Sequence, residues 1–198
     1  MKFDDVVKKR RSIRSYSNKH VDKESIIELI EAARLAPSGA NLQPWKFIAI
    51  TKPEILKKLK NTAKFYVITS NHVAKVPLVI AVLADMVKSN WAVMDCSMAS
   101  ENLMLKATSL GLGTCFIGQF DEREVKKILN IPDNYSVTGL ITVGHPDEDP
   151  KPPRKLDIKD MLFFDKFGHS SFVKRILEYR KSGPLTVFKK ILKMLLRL

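Results

Sequence analysis

Residues 10–16 read Arg-Arg-Ser-Ile-Arg-Ser-Tyr, a spacing suited to capturing a phosphate. A guanidinium offers parallel N–H donors that match phosphate oxygens two at a time, and a hydroxyl between arginines adds a further bond. The same stretch could be a solvated basic turn or part of a nucleic-acid surface. Residues 37–45, Pro-Ser-Gly-Ala-Asn-Leu-Gln-Pro-Trp, form a polar loop with amide donors and acceptors at Asn41 and Gln43. Pro37 and Pro44 stiffen it, Gly39 opens φ values closed to other residues, and Trp45 brings a flat ring to the next strand's entrance. Such a loop can approach a planar, hydrogen-bonding ligand closely, or it can be a rigid structural turn. Residues 110–120, Leu-Gly-Leu-Gly-Thr-Cys-Phe-Ile-Gly-Gln-Phe, put their glycines after a helix and before a strand, the wrong order for a dinucleotide fingerprint. Gly111 and Gly113 read as a helix terminus. Gly118 directly follows the strand, where a bare backbone lets a ring system reach the amides. Pro152-Pro153-Arg154-Lys155 presents two cations on rigid prolines, as a second set of phosphate charges or as a solvated basic loop.

The elements that must position these stretches follow from periodicity. Phe3–Lys9 reads as a short helix, with an irregular stretch to His20. Asp22 is placed to cap a helix over Lys23–Ala36, where Ile26, Ile27, Leu29, Ile30, Ala33 and Leu35 recur near the helical period. Lys46–Thr51 alternates as a strand, with Phe47, Ala49 and Thr51 on one face and Ile48 and Ile50 on the other. Thr51, Pro53 and Glu54 predict a cap and first turn for a helix to Lys60. Leu78–Ala84 is apolar throughout, as a strand covered on both faces should be. Asn90–Leu110 is nearly uncharged around most of its circumference, which predicts a helix buried in the domain or at a subunit interface. Thr114–Ile117 is a short strand, Asp121 with Glu124 caps a helix to Asn130, and Val137–Val143 is the last strand. Pro146–Pro153 is a proline- and acid-rich loop. The order of elements is α/β or α+β, with no internal repeat.

At 198 residues and 45% apolar, the chain is expected to fold around a real core. No apolar run approaches the roughly 20 residues of a spanning helix, and Met1–Asp5 lacks a secretory h-region. Cys96 and Cys115 lack paired spacing, so a reduced, cytoplasmic protein is expected. The net charge of +13 is concentrated at Lys8–Arg14 and in residues 170–198, where eight basic residues face Glu178 alone. The few aromatic residues among these charges do not interleave with them in a base-stacking pattern, which argues against single-strand nucleic-acid binding. His20, His72, His145 and His169 read as surface or structural residues, and no His/Cys/Asp cluster has metal-ligand spacing. Cys96 and Cys115 read as small buried residues, and Met86, Met94, Met98 and Met104 as fillers of core or interface.

Taken together, Arg10-x-Ser12-x-Arg14, Pro37-Ser38-x-x-Asn41-x-Gln43-Pro44-Trp45, Gly111–Gly118 and Pro153-Arg154-Lys155 resemble the nitroreductase family of flavin enzymes over residues 1 to about 165. The resemblance implies an α+β three-layer sandwich, its central, mostly antiparallel sheet flanked by helices, in a domain-sharing homodimer with FMN at the subunit interface. It assigns an FMN-binding domain to residues 1–166; residues 167–198, which depart from the family pattern, read as a basic helical extension. It implies that Arg10, Arg11 and Ser12 hold the FMN phosphate, joined by Arg154 and Lys155, and that Arg14 reaches the ribityl chain and the O2 edge. It further implies that Pro37, Ser38, Gly39 and Asn41, with Gln43, pack on the ring from the partner chain, and that the backbone of Ile117 and Gly118 faces N5 and O4. The family's polar pair at the pyrimidine edge has no assignable counterpart in Ala63–Lys75. The implied activity is ping-pong hydride transfer from NADH or NADPH through flavin N5 to a nitroaromatic or quinone. It requires no catalytic side chain or metal.

Residues 184–198 carry an apolar stripe of Leu185, Phe188, Ile191, Leu192, Leu195 and Leu196 opposite Lys189, Lys190, Lys193 and Arg197. Such a helix could extend the dimer across the partner or lie on an anionic membrane surface. Gly183-Pro184 separates it from a helix expected over Ser171–Arg180. The alternatives are therefore a membrane-tethered flavin redox protein, or a flavin-consuming or dehalogenating relative of the same fold. The loops around Lys60–Asn71 and residues 145–165 are expected to supply the lid over the flavin.

Overall fold

The computed structural model describes residues 1–167 apart from 66, 67 and 70; the expectations for His169, Ser171–Arg180 and residues 184–198 lie outside the described residues. The chain divides into two compact units, Met1–Lys151 and Pro152–Leu198. In the first unit the helices are α1 (Phe3–Lys9), α2 (Lys23–Arg34), α3 (Pro53–Lys60), α4 (Ala92–Ser109) and α5 (Glu122–Leu129). The strands are β1 (Trp45–Ile50), β2 (Lys64–Phe65), β3 (Ile68–Thr69), β4 (Leu78–Asp85), β5 (Gly113–Ile117) and β6 (Tyr135–Gly144). Four of them form one sheet in the order β1-β4-β6-β5, with every neighbouring pair antiparallel.

Strand β4 organises the core because successive side chains point to opposite faces. Leu78, Ile80, Val82 and Ala84 pack with Leu29 and Ala33 of α2 and Cys96, Ala99 and Leu103 of α4. Val79, Ala81 and Leu83 pack on the other face with Leu56 and Leu59 of α3 and Val125 of α5. The result is the expected α+β arrangement of helices, antiparallel sheet and helices. On β1 the alternation also holds, with Phe47 toward the first cluster and Ile48 and Ile50 toward the second. A register shift at Val82/Leu83 leaves Thr138 without a strand partner, which is why Val137 and Leu140 share a face.

Local capping matches the sequence at two helices. Asp22 accepts the Ser25 amide ahead of α2, and Asp121 accepts the Glu124 amide ahead of α5. At α3 the expectation fails: the N-cap position is Lys52, not Thr51, and no side chain caps it. The helix starts there because Pro53 fixes a helical φ and needs no amide partner. Helix α4 is buried on one face only, leaving Val93, Met94 and Met98 exposed, while Met104 alone of the four methionines singled out lies in the core. In the second unit, Ile158–Asp160 forms a single 3-10 turn, and the rings of Phe163 and Phe167 stack tilted at 4.6 Å. No helix among the described residues is long and apolar enough to cross a membrane.

Candidate functional site

The basic segment is laid across the ends of β5 and β6. Ser12 bridges to Thr114, the Ile13 amide donates to the Thr114 carbonyl at 2.8 Å, and the Ser17 amide donates to the His145 carbonyl at 3.0 Å. The Tyr16 hydroxyl bonds Thr142 Oγ1 at 2.7 Å and donates to the Ile13 carbonyl, and burial pushes its pKa far above the usual phenol range. Glu148 closes the other side: one carboxylate oxygen accepts the amides of both Arg14 and Ser15. Glycines make this approach feasible. Gly113 and Gly144 are directly paired across β5 and β6. A Cβ at Gly113 would meet the Ile13 side chain at 2.8–2.9 Å, and one at Gly144 would meet Tyr16 Cδ1 at 2.9 Å. Gly113 is therefore more than the helix terminus the sequence suggests; that part belongs to Gly111, whose φ is +76°.

Within this frame the arginines have different jobs. Arg10 is half-buried and pairs with Glu101 of α4 at 3.6 Å. The Arg11 guanidinium turns back to the carbonyls of Lys8 and Arg10 at 2.6 and 2.8 Å, closing the end of α1. Ser12 and Arg14 are exposed, and Arg14 bonds the Ser12 carbonyl at 3.3 Å. Two buried polar atoms in this region, Arg11 Nε and Thr114 Oγ1, have no hydrogen-bond partner among the described residues. Burial holds the Cys115 thiol above its ordinary pKa.

The 37–43 loop sits elsewhere on the chain, against the first turn of α4. The Gly39 amide donates to Asp95 at 3.3 Å, and a Cβ on Gly39 would make ordinary contact with the Trp91 ring at 3.6 Å. Ser38 Oγ accepts the Gln43 amide at 3.0 Å, and the Gln43 side chain donates to the Asn41 carbonyl at 3.2 Å. The left-handed residues here are Ala40, Asn41 and Gln43, with φ of 48°, 55° and 49°, and not Gly39 as the sequence suggests. Trp45 stands at the entrance of β1, as the sequence suggests, and its side chain is buried in the first core cluster. Asn41 and Gln43 remain exposed, as does Pro37.

Helix α4 relates the two groups. Glu101, the partner of Arg10, is six residues beyond Asp95, about 9 Å along the axis and about 240° around it. The loop and the basic segment thus meet α4 at different positions along and around the helix. Ile117 is buried and Gly118 exposed at the end of β5, so this strand end offers backbone rather than side chains. Arg154 and Lys155 are exposed residues of the second unit. Surface depressions at Lys58–Thr62 with Asp121–Ile128, and at Arg123–Asp133, include none of these residues. Asp95, Glu101, Thr114 and Glu148 escaped the sequence reading. Glu148 alone had a signal, as an acid inside a loop already noted for its acidity.

The residues present suit a phosphorylated aromatic group: cations and a hydroxyl on a fixed backbone, orphaned polar atoms beside them, and a polar loop apart. The Nitroreductase family model matches residues 7–68 and 64–145. A relative from Archaeoglobus fulgidus, named "Putative NADH dehydrogenase/NAD(P)H nitroreductase", is 36% identical over 148 residues, 71% of this chain and 83% of that protein. The solved structure of an FMN-dependent nitroreductase from Clostridium difficile R20291 is 32% identical with a TM-score of 0.73, covering 82% of this chain and 98% of that one. An NADPH:FMN oxidoreductase from Vibrio harveyi shares the fold at a TM-score of 0.80 and 20% identity, covering 91% and 84%.

Proposed function

Because this chain belongs to the nitroreductase family, we propose that it is an FMN-dependent NAD(P)H oxidoreductase. FMN, when bound, would supply the hydride chemistry that links NADH or NADPH to an electron-poor acceptor of the nitroaromatic or quinone type, in ping-pong order. The chain's own residues bind and orient. Arg10 and Ser12 would hold the phosphate, while Arg11 fixes the turn that presents them. Arg14 would place positive charge by the pyrimidine edge and so favour the anionic reduced flavin. The backbone of Ile117 and Gly118 lines the N5 edge.

Pro37–Asn41, fastened by Gln43, packs on the ring from a second copy of the chain. Support for that second copy is the separation of the two groups on α4, together with the exposed side chains of Trp91, Val93, Met94, Met98, Leu35 and Leu42. Apolar surface of this kind is what an obligate dimer buries. The observation that carries the proposal is the Arg10–Ser12–Arg14 segment pinned across β5 and β6 beside the Thr114 hydroxyl, which is unpartnered among the described residues.

Titration of the flavin-free protein with FMN tests it. The wild type binds FMN, and the double variant Arg10→Ala/Ser12→Ala stays folded with affinity at least tenfold weaker. Unchanged affinity in the double variant removes both residues from the phosphate site, and no binding by the wild type removes the function.

A further inference from the structure

Asp95 is only 2% exposed, yet it has no place in the phosphate contacts described above. Its Oδ1 accepts the Gly39 amide, while its Oδ2 is buried and without a hydrogen-bond partner among the described residues. A buried carboxylate with half its acceptor capacity unused is costly, and its position in the first turn of α4 offsets only part of that cost. The loop above it has a use for such a group. Ala40, Asn41 and Gln43 hold left-handed φ values, which L side chains resist, and the bonds from Ser38 and Gln43 tie the loop only to itself. Asp95 ties it to a helix.

We propose that Asp95 is a positioning residue that holds the Ser38–Gln43 loop in the conformation that meets the flavin ring. Ring affinity then runs through Asp95, and phosphate affinity runs through Arg10 and Ser12. This inference rests on the function proposed above.

The test titrates flavin-free protein with FMN and with riboflavin, which carries the ring without the phosphate. Asp95→Ala weakens both ligands by the same factor, about tenfold, as expected for losing a bond to a charged group. Asp95→Asn keeps an acceptor for Gly39 and recovers most of both affinities. Arg10→Ala weakens FMN and leaves riboflavin unchanged. Hydrogen exchange at the 39–43 amides, read without any flavin, is faster in Asp95→Ala and near wild type in Asp95→Asn. Should the alanine variant not fold, Asp95→Ser, too short to reach Gly39, takes its place. Wild-type riboflavin affinity in the alanine or serine variant, or unchanged exchange, overturns the inference. A wild type that binds neither flavin overturns the function on which it rests.

Discussion

Residues 12–17 are stitched to the ends of β5 and β6 at nearly every step, whereas residues 38–43 are held largely by one another. The first segment has a strand bridge at Ser12, backbone bonds at Ile13 and Ser17, a buried hydroxyl at Tyr16 and the Glu148 clamp. The second has internal bonds, the Asp95 contact and three left-handed residues. The difference matches what each must bind. A phosphate is a compact charge that rewards fixed donors, and a rigid backbone keeps arginines from relaxing toward water. A flat ring needs a surface brought to the right height, and a loop on one anchor can supply that if the anchor holds.

Small substitutions at two glycines break this comparison most sharply. Gly113→Ala forces the Ile13 side chain aside and is expected to cost about 1–3 kcal/mol, as overpacking does. Gly39→Ala meets only the Trp91 ring at ordinary contact distance and is expected to cost less than about 0.5 kcal/mol. Urea denaturation of both variants reads the difference, and equal costs would mean that the two segments are held alike. Next in size is Glu148→Ala. It leaves the Arg14 and Ser15 amides to solvent and is expected to cost about 1 kcal/mol, with partial recovery in Glu148→Gln. A variant as stable as wild type would show that the clamp contributes nothing. The smallest effect has the opposite sign. Ala40→Gly, which ordinarily weakens a fold, is expected to be neutral or to stabilise by up to about 1 kcal/mol, because it releases left-handed strain. A loss of 1 kcal/mol would argue that the loop is unstrained.

The sequence made the elements legible and concealed most of their contacts. Periodicity located α2, β4 and α4, and the acids at 22 and 121 marked real caps, because these are local signals. The two-residue strands β2 and β3 were not foreseen, being too short to show a period. Gly113 looked like a helix terminus because a glycine serving a close approach reads the same in sequence as one serving a turn. Trp45 was legible as a ring at the strand entrance, but nothing local reveals that this strand end faces the core. Asp95 was hidden as one acid in an apolar helix, its meaning set by a loop 56 residues earlier. The same helix buries Cys96, whose thiol is pushed up to about 12 by burial and by the neighbouring Asp95.

The central claim is most directly tested by an anaerobic absorbance titration of the FMN-loaded protein with NADH and with NADPH, followed by a quinone or nitroaromatic. The account predicts that the flavin bands bleach with at least one nucleotide and return on addition of the acceptor. Bands that neither nucleotide bleaches would contradict it.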